Sequence, residues 1–170
     1  MITLIESDIT TLEVDAIVNA ANSSLLGGGG VDGAIHAAAG PKLLAACKKI
    51  GGCAVGQAVL TPGFNLPAQH IIHTVGPQWQ GGGNNEHALL ANSYRNCLEL
   101  AIKEKFSTIA FPAISCGAYG FPLEEAARIA INTIQNVLDE NGKPDTIFIV
   151  CFNAQTRSAF TRALHEYKNV

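Results

Sequence analysis

Short apolar runs alternate along the chain with longer segments in which apolar residues recur every three or four positions. The short runs are rich in β-branched residues and predict six strands. They cover residues 2–7, 17–20, 57–61, 70–75, 108–111 and 146–151. The longer segments predict helices at residues 34–39, 41–50, 87–103 and 122–141, and Phe160, Ala163, Leu164 and Tyr167 mark a terminal helix. Strands that alternate with helices predict an α/β domain with helices on both faces of the sheet.

The length and composition of the chain fit one ordinary globular domain. We expect residues 1–170 to form a single domain, because no linker, repeat or low-complexity segment interrupts them. The hydrophobic fraction is 48%, and the formal net charge is −3. A weakly acidic surface disfavours broad binding to nucleic-acid phosphates, so we expect no nucleic-acid partner. The alternative, an RNA-associated regulator, is disfavoured by the near absence of Lys and Arg clusters. Without a long apolar run or a basic leader, we expect neither a membrane span nor a secretory signal.

Five scattered cysteines predict reduced thiols, because their number is odd and no Cys-x-x-Cys pair is present. We therefore expect a cytoplasmic protein without a disulfide framework or a zinc knuckle. His70 and His73 are three positions apart in a predicted strand, so they point to opposite faces and do not share a metal ion. We expect no metal site.

Four consecutive glycines, Gly27–Gly30, stand between a predicted strand and a predicted helix. Glycine is costly to order, so a run of this kind indicates a need for bare backbone. The N–H groups of such a run, beside a helix N-terminus, favour an anion. We interpret the segment as a phosphate-binding loop. The alternative is a flexible glycine linker, which the apolar flanking segments disfavour.

A second glycine-bearing loop, residues 112–121, lies between the strand at 108–111 and the helix that begins near Pro122. In open α/β sheets, ligands bind beyond the carboxyl ends of strands, where both loops are expected to lie. Two such loops in one small domain indicate a ligand with two adjacent phosphates. The chain has neither a Gly-x-x-x-x-Gly-Lys-Ser/Thr sequence nor a Gly-x-Ser-x-Gly elbow. The spacing Gly28-x-Gly30-x-x-Gly33 lacks the acidic partner of a dinucleotide fingerprint.

These loops and several shorter motifs resemble the macrodomain family, in particular its MacroD-type branch. The matching segments are Asp8-Ile9-Thr10, residues 19–22, 27–36 and 66–68, Ile72-His73-Thr74-Val75-Gly76-Pro77, and residues 115–122. They follow one another in order from near the start of the chain to Pro122. The resemblance implies a three-layer α/β/α sandwich with a mixed, mainly parallel central sheet, which binds ADP-ribose in a cleft over the strand ends.

The resemblance also implies a role for individual residues. Asp8 would accept a hydrogen bond from the adenine amino group, with the Ile9 N–H nearby; the alternative for Asp8 is a cap at a strand end. Ser7 stands where the family often has glycine. The two loops would hold the diphosphate and the distal ribose, and Phe121 would close against that ribose unless it is an ordinary core aromatic. The loop positions are Ala21, Asn22, Gly29, Gly30, Val31, Asp32, Ser115, Gly117, Ala118, Tyr119, Gly120 and Phe121.

Asn22 and Asp32 are the candidate catalytic pair. They would position the distal ribose and a water near the bond that is hydrolysed, and a phosphate oxygen of the substrate would help to activate that water. The alternatives are a turn asparagine for Asn22 and a carboxylate in a first helical turn for Asp32. His36, one turn beyond Asp32, is interpreted as a packed histidine, with acid-base catalysis as the alternative. Cys116 has no evident base partner and is interpreted as a small loop residue.

The resemblance implies a hydrolase that removes mono-ADP-ribose from acidic side chains of proteins and also deacetylates O-acetyl-ADP-ribose. Both substrates carry an ester at the distal ribose, so one site serves both. No metal or redox cofactor is implied. We expect a monomer whose partners are ADP-ribose and ADP-ribosylated proteins. The alternative is a reader module that binds ADP-ribose without turnover, and the combination of Asn22 with Asp32 favours the enzyme.

Overall fold

A mixed sheet of six strands forms the centre of the molecule in the computed structural model, which describes residues 1–169. The strands are β1 (Ile2–Glu6), β2 (Ala16–Ala20), β3 (Ala58–Pro62), β4 (His70–Thr74), β5 (Thr108–Pro112) and β6 (Thr146–Cys151). Their order across the sheet is β1-β6-β5-β2-β4-β3. All neighbouring strands are parallel except β3, which runs antiparallel to β4 at one edge. The predicted α/β sandwich with a mixed, mainly parallel sheet is confirmed.

Within residues 1–169, five helices cover the two faces of this sheet. They are α1 (Gly30–Ala39), α2 (Pro41–Ile50), α3 (Glu86–Lys103), α4 (Leu123–Asn141) and α5 (Ala154–Lys168), and a short 3-10 turn spans Ile9–Thr11. Ile17 and Ile71 of the central strands pack in the core beneath α1 and α2, whereas Val18 and Ile72 pack beneath α3, α4 and α5. The central strands are continuously apolar because both of their faces are buried. No helix within residues 1–169 is long and apolar enough to cross a membrane.

One predicted helix start is wrong, because the structure starts α1 at Gly30, not at residue 34. The terminal helix predicted from Phe160, Ala163, Leu164 and Tyr167 is present as α5, which begins at Ala154. Glycine has low helix propensity, so tertiary packing and not local preference sets the start of α1. A Cβ on Gly33 would lie 2.5 Å from the Gly28 carbonyl oxygen, so the loop packs directly on the helix. The Asn153 side chain accepts a hydrogen bond from the Thr156 N–H (2.8 Å) and caps α5.

A buried carboxylate holds the loop that precedes α3. Glu86 accepts hydrogen bonds from the backbone N–H groups of Gln80 (2.9 Å), Gly82 (2.8 Å) and Asn84 (2.6 Å). These bonds, with that of Gln80 as the largest cause, lower the pKa of Glu86 to about 2. The carboxylate therefore stays ionised and keeps the turn at residues 80–84 closed.

We expect Glu86→Gln to lower the melting temperature at pH 7. The substitution replaces an ionised carboxylate, which accepts from three backbone N–H groups, by a neutral amide in which one of the two acceptor oxygens becomes an NH₂ group. The folded pKa of Glu86, about 2, lies below its ordinary value of 4.5. Its contribution to stability is therefore fully present above about pH 4.5 and is lost as the pH falls towards 2. Thermal unfolding of both proteins between pH 7 and pH 2 should show the two melting temperatures converging.

The matched control is Glu99→Gln, which removes an exposed carboxylate from the same helix. It should leave the melting temperature close to that of the wild type throughout. A difference between wild type and Glu86→Gln that stayed constant down to pH 2 would contradict the role of the ionised Glu86.

Candidate functional site

The carboxyl ends of the five parallel strands lie along one edge of the sheet. In spatial order they lead into Asp8 after β1, Phe152 after β6, residues 113–121 after β5, residues 21–29 after β2 and residues 75–79 after β4. Neighbouring strands are about 4.8 Å apart, so the edge from β1 to β2 spans about 14 Å. This edge suits an extended ligand that crosses several strand ends.

The first loop presents bare backbone N–H groups at the start of α1. Among residues 1–169, no acceptor is found for the N–H groups of residues 28–32. Gly28, Gly29 and Gly30 are exposed, and Val31 is half-buried. Free N–H groups at a helix N-terminus attract an anion. The geometry agrees with the predicted phosphate-binding loop.

The second loop offers a matching set of groups from the other side. The N–H groups of Gly117, Ala118 and Tyr119 likewise have no acceptor within residues 1–169. Gly117 and Ala118 are exposed, and the Tyr119 carbonyl accepts a hydrogen bond from the Trp79 N–H (2.8 Å). Successive free N–H groups in a turn form an anion-binding concavity. The two loops therefore suit a diphosphate.

The second loop is tied to the segment that follows β4. Ser115 adopts a left-handed conformation (φ 65°), and its buried hydroxyl donates to the Pro77 carbonyl (2.8 Å). A Cβ on Gly76 would clash with Ser115 and would lie 2.6 Å from the Ile114 side chain, so only glycine permits this approach. Ser115 thus shapes the loop, and its hydroxyl is turned away from the cleft.

Asp32 lies in the first turn of α1 and is only 5% exposed. Its Oδ1 accepts a hydrogen bond from Asn19 Nδ2 (2.8 Å). Its Oδ2 has no hydrogen-bond partner in the described chain and faces Gly28, where an added Cβ would lie 3.3 Å away. One oxygen of the carboxylate is thus fixed by the protein, and the other is available to a ligand at the glycine loop.

Asn22 is close to the same point but is largely engaged within its own loop. Its Oδ1 accepts hydrogen bonds from Ser24 Oγ (2.6 Å) and the Leu25 N–H (3.1 Å), and its Nδ2 donates to the Gly27 carbonyl (2.9 Å). A Cβ on Gly28 would lie 3.5 Å from Asn22 Nδ2. The structure therefore brings Asn22 and Asp32 together around Gly28. An amide nitrogen has two N–H donors, so one donor of Asn22 remains for a ligand.

A chain of buried polar side chains extends from Asp32 into the sheet. Asn19 Nδ2 also lies 3.1 Å from His73 Nδ1, and His73 Nε2 lies 2.9 Å from Thr61 Oγ1. Asn19 and His73 are fully buried, and Thr61 is nearly so. Burial, followed by the charge of His36, lowers the pKa of His73 to about 4. His73 is therefore neutral at neutral pH.

His36 and Cys116 lie beside the two loops. His36 Nε2 is 3.4 Å from Asp32 Oδ1 but lacks hydrogen-bond geometry, in agreement with a packed histidine. Burial raises the pKa of the Cys116 thiol to about 12, so this cysteine is not a thiolate at neutral pH. Within residues 1–169, no three His, Cys, Asp or Glu side chains come together as a metal site.

The β1 end of the edge combines a carboxylate with an exposed aromatic ring. Asp8 Oδ1 accepts hydrogen bonds from the N–H (2.9 Å) and hydroxyl (2.7 Å) of Thr10, which lower the pKa of Asp8. Asp8 thus has the capping role that was considered for it. Its other carboxylate oxygen, Oδ2, has no hydrogen-bond partner in residues 1–169. The Ile9 N–H also has no acceptor there. Phe152 is 93% exposed, beside this turn at the end of β6.

Two of the predicted binding residues are buried beneath the cleft. Ala21 is 3% exposed, and its N–H donates to the Thr74 carbonyl (2.9 Å). Phe121 is 3% exposed and packs against Trp79 with ring centroids 4.8 Å apart. Phe121 is therefore a core aromatic, the alternative considered for it, and supports the second loop from below.

The sequence interpretation missed Asn19, His73, Thr61 and Phe152 as candidate site residues. Asn19 and His73 are polar residues inside two otherwise apolar strands, which is a signal that a buried polar contact is present. Phe152 follows the last predicted strand directly, so the sequence also indicated an aromatic side chain at the carboxyl edge of the sheet. The partners of Asn19 were not visible, because β2, β3 and β4 are neighbours only in the folded sheet.

Comparison with known proteins agrees with this geometry. Residues 18–130 match the family model described as Macro domain. A Lactiplantibacillus plantarum protein named "Macro domain-containing protein" is 58% identical over 169 residues, which cover 99% of this chain and 98% of the relative. A Citrobacter koseri protein named "O-acetyl-ADP-ribose deacetylase" is 53% identical over 161 residues, which cover 92% of this chain and 91% of the relative.

A solved structure leads to the same conclusion. The macrodomain of Oceanobacillus iheyensis with ADP has a TM-score of 0.95 and 45% identity to this chain. The match covers 99% of this chain and 92% of the solved one. The family model, the sequence identity and the shared fold together show that this chain belongs to the macrodomain family.

Proposed function

We propose that this macrodomain binds ADP-ribose along the carboxyl edge of its sheet and hydrolyses an ester at the distal ribose. Its substrates would be proteins with mono-ADP-ribose on acidic side chains and O-acetyl-ADP-ribose. The observation that supports this most directly is Asp32 Oδ2, which faces Gly28 without a protein partner in residues 1–169. A carboxylate beside an anion-binding loop repels phosphates, so its position is best explained by contact with a ribose hydroxyl or a water.

The proposed ligand extends across four strand ends. Its adenine would stack on Phe152 and donate its amino group to Asp8, with the Ile9 N–H nearby. Its diphosphate would lie between the N–H groups of residues 28–32 and those of residues 117–119. The similar Oceanobacillus iheyensis macrodomain was solved with ADP, which supports a ligand that contains adenosine and a diphosphate. The distal ribose would then reach Asn22 and Asp32.

The proposed chemistry uses the free groups of Asn22 and Asp32. Asp32 Oδ2 would accept a proton or a hydrogen bond from a water or a hydroxyl of the distal ribose. The remaining Asn22 N–H would fix the ribose. A phosphate oxygen of the substrate is the other candidate that would activate the water. The name of the Citrobacter koseri relative supports cleavage of the acetyl ester, and the raised pKa of Cys116 argues against a thiolate nucleophile.

The second candidate is a reader that binds ADP-ribose without turnover. One observation favours it: the Asn22 side chain makes three hydrogen bonds within its own loop, as a purely structural asparagine would. The free oxygen of Asp32 favours the enzyme. Measurement of turnover and binding on the same protein separates the two.

The first test is release of ADP-ribose from a protein mono-ADP-ribosylated on glutamate. We expect Asp32→Ala and Asp32→Asn each to slow release by at least about 100-fold, because a positioned base contributes about 10²- to 10⁴-fold. Asp32→Asn preserves the size of the side chain and an acceptor for Asn19, so it isolates the loss of the carboxylate. Calorimetry should show that both variants still bind ADP-ribose.

The control is Asp139→Ala, which removes an exposed carboxylate near the far end of α4 and should leave the rate unchanged. A loss of less than tenfold in both Asp32 variants, with binding retained, would exclude Asp32 as the base and leave the substrate phosphate in that role. No release by wild type, with ADP-ribose still bound, would identify a reader.

A second test concerns the adenine end. We expect Phe152→Ala to raise the Kd for ADP-ribose roughly 5- to 150-fold, because stacking of a base on an aromatic ring is worth about 1–3 kcal/mol. Phe152→Tyr preserves the ring and should bind nearly as wild type does. Isothermal titration of the three proteins measures this, and equal affinity for Phe152→Ala and wild type would show that the adenine does not stack there.

A further inference from the structure

We propose that His73 and Thr61 are positioning residues for Asp32. They hold the Asn19 amide in the one orientation that fixes Asp32 Oδ1 and leaves Oδ2 directed at the cleft. The inference rests on the proposed function, because the orientation of Asp32 matters for turnover only if Asp32 acts on the substrate.

The Asn19 side chain has a fixed orientation, because both of its N–H donors are engaged. Its Nδ2 has two N–H groups, one directed at Asp32 Oδ1 (2.8 Å) and the other at His73 Nδ1 (3.1 Å). A rotated amide would place its oxygen against the carboxylate. Asn19 Oδ1 is buried without a hydrogen-bond partner in the described chain. The two N–H groups therefore set the orientation of the amide, although this orientation leaves the amide oxygen without a hydrogen bond.

The contact with Asn19 determines which nitrogen of His73 carries the proton. His73 Nδ1 faces an N–H donor and must accept, so the ring must be neutral with its proton on Nε2. Nε2 then donates to Thr61 Oγ1 (2.9 Å). Burial lowers the pKa of His73 to about 4, which agrees with a neutral ring at neutral pH. The Asn19 N–H donor thus sets the tautomer of His73, and the Thr61 hydroxyl, which can accept as well as donate, stabilises that tautomer by accepting from Nε2.

The sheet makes this chain of contacts rigid. Asn19 and His73 are register partners on the neighbouring strands β2 and β4, and Thr61 is on β3, the strand after them in the sheet. Their neighbours Ile17 and Ile71 belong to the core beneath α1 and α2, the side from which α1 presents Asp32. Three strands therefore support one carboxylate from below.

Loss of either supporting residue has a defined consequence. Without the acceptor at His73, one Asn19 N–H would be buried and unpaired, which is costly, so the amide would rotate. Asp32 Oδ1 would then lose its donor, and the carboxylate would no longer be held with Oδ2 at Gly28. The ligand-binding N–H groups of the two loops are not part of this chain of contacts.

The kinetic test compares His73→Phe and Thr61→Val with Thr74→Val. Thr74 is also buried, and its hydroxyl donates to the Gln57 carbonyl (2.8 Å) without contact to Asn19 or His73. We expect kcat for ADP-ribose release to fall about 10- to 100-fold in His73→Phe, the loss seen when residues that orient metal ligands are replaced, and by a smaller factor in Thr61→Val. KM and the Kd for ADP-ribose should change little. Thr74→Val should lose stability but keep kcat.

Rescue distinguishes positioning from packing. In His73→Asn the amide oxygen can occupy the place of Nδ1 and accept from Asn19, whereas His73→Phe preserves ring volume without an acceptor. We expect His73→Asn to recover much of the kcat that His73→Phe loses. Thr61→Val preserves the side-chain shape, so the inference remains testable even if a His73 variant does not fold.

A spectroscopic measurement makes the inference independent of turnover. ¹⁵N NMR of wild type should show His73 with its proton on Nε2 and a slowly exchanging Asn19 side-chain amide. Both signals should change in Thr61→Val and not in Thr74→Val. If wild type releases no ADP-ribose, the proposed function fails. Separately, an Asn19 side-chain amide signal that is unchanged in Thr61→Val overturns the positioning role. If wild type is active, a second result would also overturn the positioning role. That result is a kcat in His73→Phe and Thr61→Val that is no lower than the kcat of Thr74→Val.

Discussion

The parallel alignment of five strands is the constraint on which the candidate site depends. It brings the carboxyl ends of β1, β6, β5, β2 and β4 to one edge, so segments far apart in sequence become neighbours there. Two of these segments contribute free backbone N–H groups, and each leads into a helix N-terminus. Backbone donors cost no side-chain entropy when they bind a ligand. The site is therefore largely preformed by the fold.

Asp32 illustrates how the protein accommodates a buried carboxyl group at the candidate site. A buried carboxylate is unfavourable unless it is hydrogen-bonded, and Asn19 supplies one of the required donors. The start of α1 supplies a favourable field, because a helix N-terminus carries partial positive charge. The second oxygen is left without a protein partner in the part of the chain that is described. An incomplete hydrogen-bond shell in a buried group is stable only when surrounding contacts hold it, and the buried Asn19 and His73 provide such contacts.

The second loop is held in a comparable way from outside. Ser115 donates to the Pro77 carbonyl, and the Trp79 N–H donates to the Tyr119 carbonyl. The ionised Glu86 closes the next turn along the chain, at residues 80–84. These bonds leave the N–H groups of Gly117, Ala118 and Tyr119 unused while they restrict the backbone around them. The loop thus keeps the N–H groups that are proposed to bind the ligand free and its own shape fixed.

The sequence alone determined the alternation of strands and helices, the two glycine loops and the resemblance to macrodomains, because these depend on local periodicity, turn chemistry and contiguous motifs. It also identified Asn22 and Asp32 as neighbours in a motif. It did not determine the start of α1, since the packing of Gly33 on the Gly28 carbonyl overrides low helix propensity. Nor did it reveal that Phe121 is buried or that Asn19, His73 and Thr61 support Asp32. Those contacts join three strands whose order in the sheet is set by long-range packing, and only the tertiary structure decided them.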